Sequence, residues 1–178
     1  AFQYNRTYPG GSIYAPITGY FSVVSRAGHG IEASENQLLT GQTDSLWYQR
    51  LRALFTGQAN HGATIETSID TTLQRLAVRL LAGRRGAVVA LDPHTGRILA
   101  LASSPSYDPN QLSTHDTKAA TKAYQDLANQ KPSPLNSVAT EQLFPPGSSF
   151  KIVVAAAALE SGKYTPDTQL STPSSYTL

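Results

Sequence analysis

From Ile152 to Leu159 the chain reads Ile-Val-Val-Ala-Ala-Ala-Ala-Leu, and Pro145-Pro146-Gly147-Ser148-Ser149-Phe150-Lys151 stands directly before it. No other stretch limits the fold as tightly. Pro146 and Gly147 stop whatever precedes them, and Ser148 can start a helix. A helix that is apolar all round has no face to give to water. The sequence therefore predicts a helix buried on every side, at the centre of a domain.

Ser148 and Lys151 are three residues apart, which on a helix puts them on one face, a turn from each other. A serine acyl-transfer centre needs that pairing: a hydroxyl nucleophile and an amine close enough to take its proton. The N–H groups at a helix N-terminus add donors for a developing negative charge. The spacing is unspecific by itself, because Ser and Lys at roughly 7% and 6% give on the order of one chance match in a chain this long. An N-cap serine followed by a surface lysine explains an isolated match. Here the lysine opens a helix too apolar for a surface, and two prolines and a glycine fix the entry.

Upstream, residues 1–25 are rich in Tyr, Gly and Pro, with a β-prone piece at Tyr20-Phe21-Ser22-Val23-Val24. Trp47, Leu51, Leu54 and Phe55 recur at helical spacing before Gly57, and residues 57–62 read as a connector. Asp70 can cap a second helix with Leu73, Leu76, Ala77, Leu80 and Leu81 as its apolar face and Gly83 as its stop. Two apolar runs, Ala87 to Leu91 and Ile98 to Ala102, flank Asp92-Pro93-His94-Thr95-Gly96. They predict a hairpin covered on both faces, since neither run alternates. Tyr107-Asp108-Pro109-Asn110 reads as a turn, and Asp92, Asp108 and Asp116 fit Asx-type hydrogen bonding.

Composition removes several function classes. The 178 residues carry a formal charge of +2 with no Lys/Arg run longer than Arg84-Arg85, which gives no footprint for nucleic acid. Without cysteine there is no disulfide framework, thiolate metal site or thiol nucleophile. His29, His61, His94 and His115 lack ligand spacing, so no metal is expected. No run approaches the ~20 apolar residues of a membrane span. Ala1-Phe2-Gln3-Tyr4 carries no signal pattern, and both ends read as cut.

Pro-Pro-Gly-Ser-Ser-Phe-Lys resembles the active-site motif of class B penicillin-binding proteins, in which Ser-x-x-Lys opens the central helix of the transpeptidase domain. The run from Gly86-Ala87-Val88-Val89-Ala90-Leu91-Asp92-Pro93 through Ser106-Tyr107-Asp108-Pro109-Asn110 is similar to that domain's opening strand pair and loop. Thr67-Ser68-Ile69-Asp70 with Leu73-Gln74 resembles the lead-in to its first helix. Tyr14-Ala15-Pro16-Ile17-Thr18-Gly19-Tyr20 looks like the penicillin-binding protein A subgroup.

The resemblance implies an α+β fold. Residues 1–62 would form an irregular N-terminal pedestal or interaction module, and residues 63–178 the first part of a transpeptidase domain with a buried active-site helix. Ser148 would be the acylated nucleophile, Lys151 the proton acceptor and the Ser148 backbone N–H an oxyanion donor. The reaction implied is D,D-transpeptidation of peptidoglycan stem peptides, with β-lactams acylating the same serine. No cofactor is implied. A membrane anchor outside this chain, an extracytoplasmic location, and division or elongation proteins as partners are implied.

Ser149 stands where the family often has Thr. Asn136-Ser137-Val138-Ala139 lacks the arginine of the family's Asn-Arg-Ala. The Ser-x-Asn and Lys-Thr/Ser-Gly motifs that complete the family's site do not follow the nucleophile. Ser34-Glu35-Asn36 lies upstream and reads as coincidence. An ordinary lysine titrates near ~10.4, so a half-neutral amine at pH 7 needs its charged form raised by about 4.6 kcal/mol. A helix N-terminus gives ~0.3–1 kcal/mol, up to ~2 when partly buried. The rest must come from desolvation and a neighbouring cation, which in the family is the lysine of the absent motif. The chain alone is expected to be a poor catalyst, with apolar helix surface and sheet edges exposed. A serine β-lactamase or β-lactam sensor shares the Ser-x-x-Lys helix and is one alternative; a non-catalytic scaffold of a division complex is the other.

Overall fold

The computed structural model describes residues 5–22, 27–41 and 62–175. The expected helix through Trp47, Leu51, Leu54 and Phe55, the residues Val23 and Val24, and most of the 57–62 connector lie outside the described residues. The chain divides into two units, Ala1–Gln142 and Leu143–Leu178.

In the first unit, a 3-10 turn (Gly11–Ile13) leads to α1 (Ala15–Thr18), then β1 (Phe21–Ser22), β2 (Ala27–Gly28), α2 (Ile31–Ser34) and α3 (Asn36–Leu39). After Gly62 come α4 (Thr71–Leu81), β3 (Gly86–Leu91), β4 (Ile98–Ser104), a 3-10 turn (Pro109–Gln111) and α5 (Thr117–Ala128). Both hairpins are antiparallel two-stranded sheets, β1 with β2 and β3 with β4. The second unit holds a 3-10 turn (Gly147–Ser149) and α6 (Phe150–Glu160).

Asp70 caps α4 as expected, its Oδ1 accepting the N–H groups of Thr72 and Leu73 at 2.8 Å each. Helical geometry ends at Leu81, and Gly83 takes φ +73° just beyond. In the β3–β4 turn, Asp92 accepts from the N–H of His94 at 2.9 Å and from the hydroxyl of Thr95 at 2.6 Å. The Thr95 bond first and the His94 bond second hold the Asp92 carboxyl below its ordinary range. Asp108 and Asp116 cap the Pro109–Gln111 turn and α5 in the same manner. The β3–β4 register runs from Gly86 opposite Ser104 to Ala90 opposite Ala100, then shifts so that Leu91 faces Ile98. Leu99 is the extra residue, and its carbonyl accepts the N–H of Asp70 at 2.8 Å.

The face that α4 turns inward keeps Ala77 and Leu81 of the expected apolar stripe but not its other leucines. Gln74 and Ala77 are buried, and Val78 and Leu81 pack with Ala100, Ala102, Val88 and Ala90. Leu73, Leu76 and Leu80 stay exposed, Leu80 at 63%. Two local causes select the face. Ala77, Ala100 and Ala102 let helix and strand approach closely. The Gln74 amide spans a gap that no leucine can serve, accepting the N–H of Leu101 at 2.8 Å while donating to the carbonyls of Leu101 at 2.9 Å and Ile13 at 2.8 Å. With Ser68 Oγ donating to the Ile98 carbonyl at 2.8 Å, residues 68–74 cover the outer edge of β4. That edge was expected to be open, and it is not.

The hairpin also departs from a sheet covered on both faces. Burial alternates along β3, with Ala87, Val89 and Leu91 exposed while Gly86, Val88 and Ala90 face α4. Among the described residues α4 makes the main layer on it, and α1 also reaches β4.

A second core joins the N-terminal residues to the segment after β4. Tyr8, Ala15, Tyr20, Tyr107, Leu112 and Leu127 form one buried cluster. Asn110 closes a strand-like pair across it, accepting the Tyr8 N–H at 2.9 Å and donating to the Tyr8 carbonyl at 3.0 Å. The Tyr8 hydroxyl donates to Glu32 at 3.2 Å and accepts the N–H of Phe21 at 2.8 Å, while Arg6 pairs with Glu32 at 3.2 Å. Burial pushes the Tyr8 phenol up to about 12, with the Glu32 charge adding to it against the Phe21 bond. Burial raises Tyr107 further still.

Candidate active site

The proposed nucleophile sits in the second unit, where backbone geometry is set before any side chain acts. Pro146 is α-like, and Gly147 follows at φ +55°, a region that an L residue enters at a cost. The Ser149 N–H then donates to the Pro146 carbonyl at 3.2 Å, and the Phe150 N–H to the carbonyls of Gly147 and Ser148. Ser148 thus occupies the middle of a tight 3-10 turn that feeds α6. Lys151 is the second residue of α6, so the two lie one turn apart, as their spacing requires.

Three properties of this arrangement are chemical. Among the described residues the Ser148 N–H makes no hydrogen bond, so the donor that an oxyanion would need is free at the start of the helix. The Ser148 hydroxyl is held in regular backbone. Lys151 directly precedes Ile152, Val153 and Val154, the apolar part of α6.

The expected burial of α6 is not met among the described residues. No residue of the helix is buried, Ser148 and Lys151 are both exposed, and Ile152 stands 76% exposed. The cause is the feature that made the helix stand out. Its apolar surface runs all the way round, and a surface of that kind needs covering elements on every side.

The last stretch of the first unit is tied down by hydrogen bonds within that unit. Ser137, at the position where the family's arginine is missing, opens a turn in which Glu141 Oε2 accepts the Ser137 N–H at 3.0 Å. The Val138 N–H donates to Ser103 of β4 at 2.8 Å. Arg85, just beyond α4, donates to Gln142 at 2.9 Å. The available signal was Ser137 followed four residues later by Glu141, a spacing that closes a single helical turn. Ser34, Glu35 and Asn36 lie in the α2–α3 region of the N-terminal module, among no other site candidate. Among the described residues no helix is long and apolar enough to cross a membrane.

Residues 86–177 match the penicillin binding protein transpeptidase domain, and residues 1–65 match the penicillin binding protein A dimerisation domain. A peptidoglycan D,D-transpeptidase PbpA from Mycolicibacterium smegmatis is 41% identical over 174 residues, covering 95% of this chain and 35% of that protein. The imipenem acyl-enzyme structure of penicillin-binding protein A from M. tuberculosis superposes with a TM-score of 0.81 at 39% identity, over 90% of this chain and 38% of that one. A complex between PBP2 and MreC from Helicobacter pylori gives a TM-score of 0.66 at 26% identity, over 95% of this chain and 35% of that one. The chain therefore spans little more than a third of the relatives it matches. Its fold class is α+β, as the sequence led one to expect. With the transpeptidase-domain match covering more than half its length, the chain belongs to the penicillin-binding protein transpeptidase family.

Proposed function

We propose that this chain carries the nucleophile of a peptidoglycan D,D-transpeptidase. The observation that carries the reading is the Ser148 turn: a hydroxyl with a free backbone N–H beneath it and a lysine one helical turn on. The Lys151 amine takes the Ser148 hydroxyl proton. The oxygen attacks the carbonyl between the two terminal D-Ala residues of a stem peptide, and the Ser148 N–H stabilises the oxyanion. The C–N bond breaks, the departing D-Ala amine receives the proton from Lys151, and an ester to Ser148 remains. An amine of a second stem peptide attacks that ester, yields the cross-link and returns the proton to Ser148. β-Lactams enter the first half of this sequence and stop at the ester.

The neighbouring cation and the cover over α6 come, on this reading, from polypeptide outside residues 1–178. The 1–62 module serves as pedestal and docking surface for division or elongation proteins, and 63–178 begins the catalytic domain. The dimerisation-domain match and the relative seen bound to MreC support the docking role. The location proposed is the extracytoplasmic face of the cell membrane.

The test is labelling of the full-length protein with a fluorescent penicillin, followed by mapping of the modified residue. Label is expected on Ser148, absent from Ser148→Ala, and slowed about 10²–10⁴-fold in Lys151→Ala, the range of a lost general base. Label on a different serine overturns the assignment. Label that forms on Ser148 and is lost within seconds by hydrolysis makes the protein a β-lactamase instead.

A further inference from the structure

Ahead of α4 the chain runs from Gly62 to Asp70 with neither turn nor bend. Both ends of this run are pinned. The Ala63 N–H donates to the Leu38 carbonyl at 2.9 Å, and a Cβ on Gly62 would lie 1.8 Å from the Leu39 carbonyl oxygen. At the far end Ser68 Oγ donates to the Ile98 carbonyl and the Asp70 N–H to the Leu99 carbonyl, each at 2.8 Å. Between these anchors, residues 64–67 make no backbone hydrogen bond among the described residues. Their N–H and carbonyl groups are held in line with nothing of the described chain paired to them.

The run has the marks of a strand that lacks its neighbour. Ala63 and Ile65 are half-buried while Thr64 and Glu66 are exposed, the period of two of a sheet. Thr64, Ile65 and Thr67 are β-prone, and no Lys or Pro stands among them to blunt an open edge. A groove of about 520 Å³ lies alongside, lined by Thr64, Ile65 and Thr67 and, among its apolar residues, by Ile31 and Leu39. Arg6 and Thr7 line the same groove. Arg6 is held by its 3.2 Å pair with Glu32, and the Tyr8 N–H by Asn110 at 2.9 Å. The described residues begin at Asn5, so the chain enters this unit at the groove, from a fixed point.

We propose that residues 64–67 pair with a β-strand from the polypeptide that precedes Asn5 in the full-length protein. Arriving at Arg6, that polypeptide reaches residues 64–67 without leaving the groove. The M. smegmatis relative, of which this chain covers 35%, has room for such a strand outside the matched part. Main-chain bonds hold the added strand, and Ile31 and Leu39 receive its alternate side chains. Because the receiving edge is anchored at both ends, little chain has to be ordered for the pairing to form. Nothing in this depends on which serine is acylated.

The experiment uses the full-length protein and has two readouts. Amide hydrogen exchange is expected to be slow at alternate positions, either 64 and 66 or 65 and 67, by at least about a hundredfold over the other two. A strand paired on one side bonds every second N–H, which simple burial does not imitate. Thr64→p-benzoylphenylalanine, irradiated and digested, is expected to join residue 64 to a peptide that precedes Asn5, in the same yield at every protein concentration. If that variant melts early, Thr67→p-benzoylphenylalanine repeats the mapping from the other end of the edge. Fast exchange at all four amides overturns the proposal, because the edge is then left to water. Equal slowing of all four overturns it too, since packing and not pairing is then at work. A cross-link into polypeptide after Leu178, into a second copy or into another protein names a different occupant and overturns it as well, as does the absence of any cross-link from both positions.

Discussion

Gln74 sits with its amide among three backbone groups that it serves, the N–H and carbonyl of Leu101 and the carbonyl of Ile13. Its side chain imitates one residue of a neighbouring strand, so β4 ends in an amide where another strand would stand. Gln74→Leu keeps the bulk and removes every bond. Buried polar groups left unpaired cost about 1–3 kcal/mol each, and relaxation recovers part of that, so the expected loss is about 2–4 kcal/mol in a urea melt of the full-length protein. A loss near zero would mean that the hairpin edge is satisfied some other way. The same logic explains why the leucines of α4 misdirect a periodicity argument. Counting apolar residues ranks Leu73, Leu76, Ala77, Leu80 and Leu81 as the inner face; Ala77 and Leu81 do turn inward, yet one glutamine with three obligations fixes the helix rotation and leaves the other three outside.

At the scale of elements, the caps and turns were the most legible part. Asp70, Asp92, Asp108 and Asp116 each accept from backbone N–H groups two or three residues on, because a short carboxylate reaches only that far. Hairpin pairing was legible from two apolar runs around a turn. The cross-chain ties were not, since Asn110 to Tyr8 and His29 to Glu141 join residues far apart in sequence, and no local pattern carries such a pairing. The Ser148 turn lies between these cases: its chemistry showed in Ser-x-x-Lys, its 3-10 geometry did not. Gly147 decides that geometry. A Cβ there meets nothing within 4 Å, so the demand comes from φ +55° alone. Gly147→Ala is expected to cost about 1–2 kcal/mol in the turn, and to slow acylation by roughly the corresponding five- to thirtyfold. Gly147→Asn, which tolerates this region better, should lose less. Equal rates for all three would remove Gly147 from any role in presenting the serine.

Across the whole molecule, apolar side chains stand in water on three elements. Leu73, Leu76 and Leu80 do so on α4, Val89 and Leu91 on β3, and Ile152, Val153 and Val154 on α6. Monomeric soluble proteins rarely leave contiguous apolar patches beyond a few hundred Å² open, and each fully buried side chain of this kind is worth about 1.5–3 kcal/mol over an exposed one. The 178-residue chain made by itself is therefore expected to bind a hydrophobic dye strongly and to self-associate with rising concentration. Because the driving force is local area, Leu76→Lys and Ile152→Lys should each lower the dye signal of the chain alone. In the full-length protein, where further polypeptide would cover these positions, the same two substitutions should destabilise, each by about 2–5 kcal/mol, the cost of placing an unpaired charge in a packed site. The opposite signs separate surface awaiting a partner from surface that is simply greasy. A monodisperse, dye-silent monomer of the chain, or lysines tolerated equally in both settings, would show that these faces are never covered and that α6 works in the open.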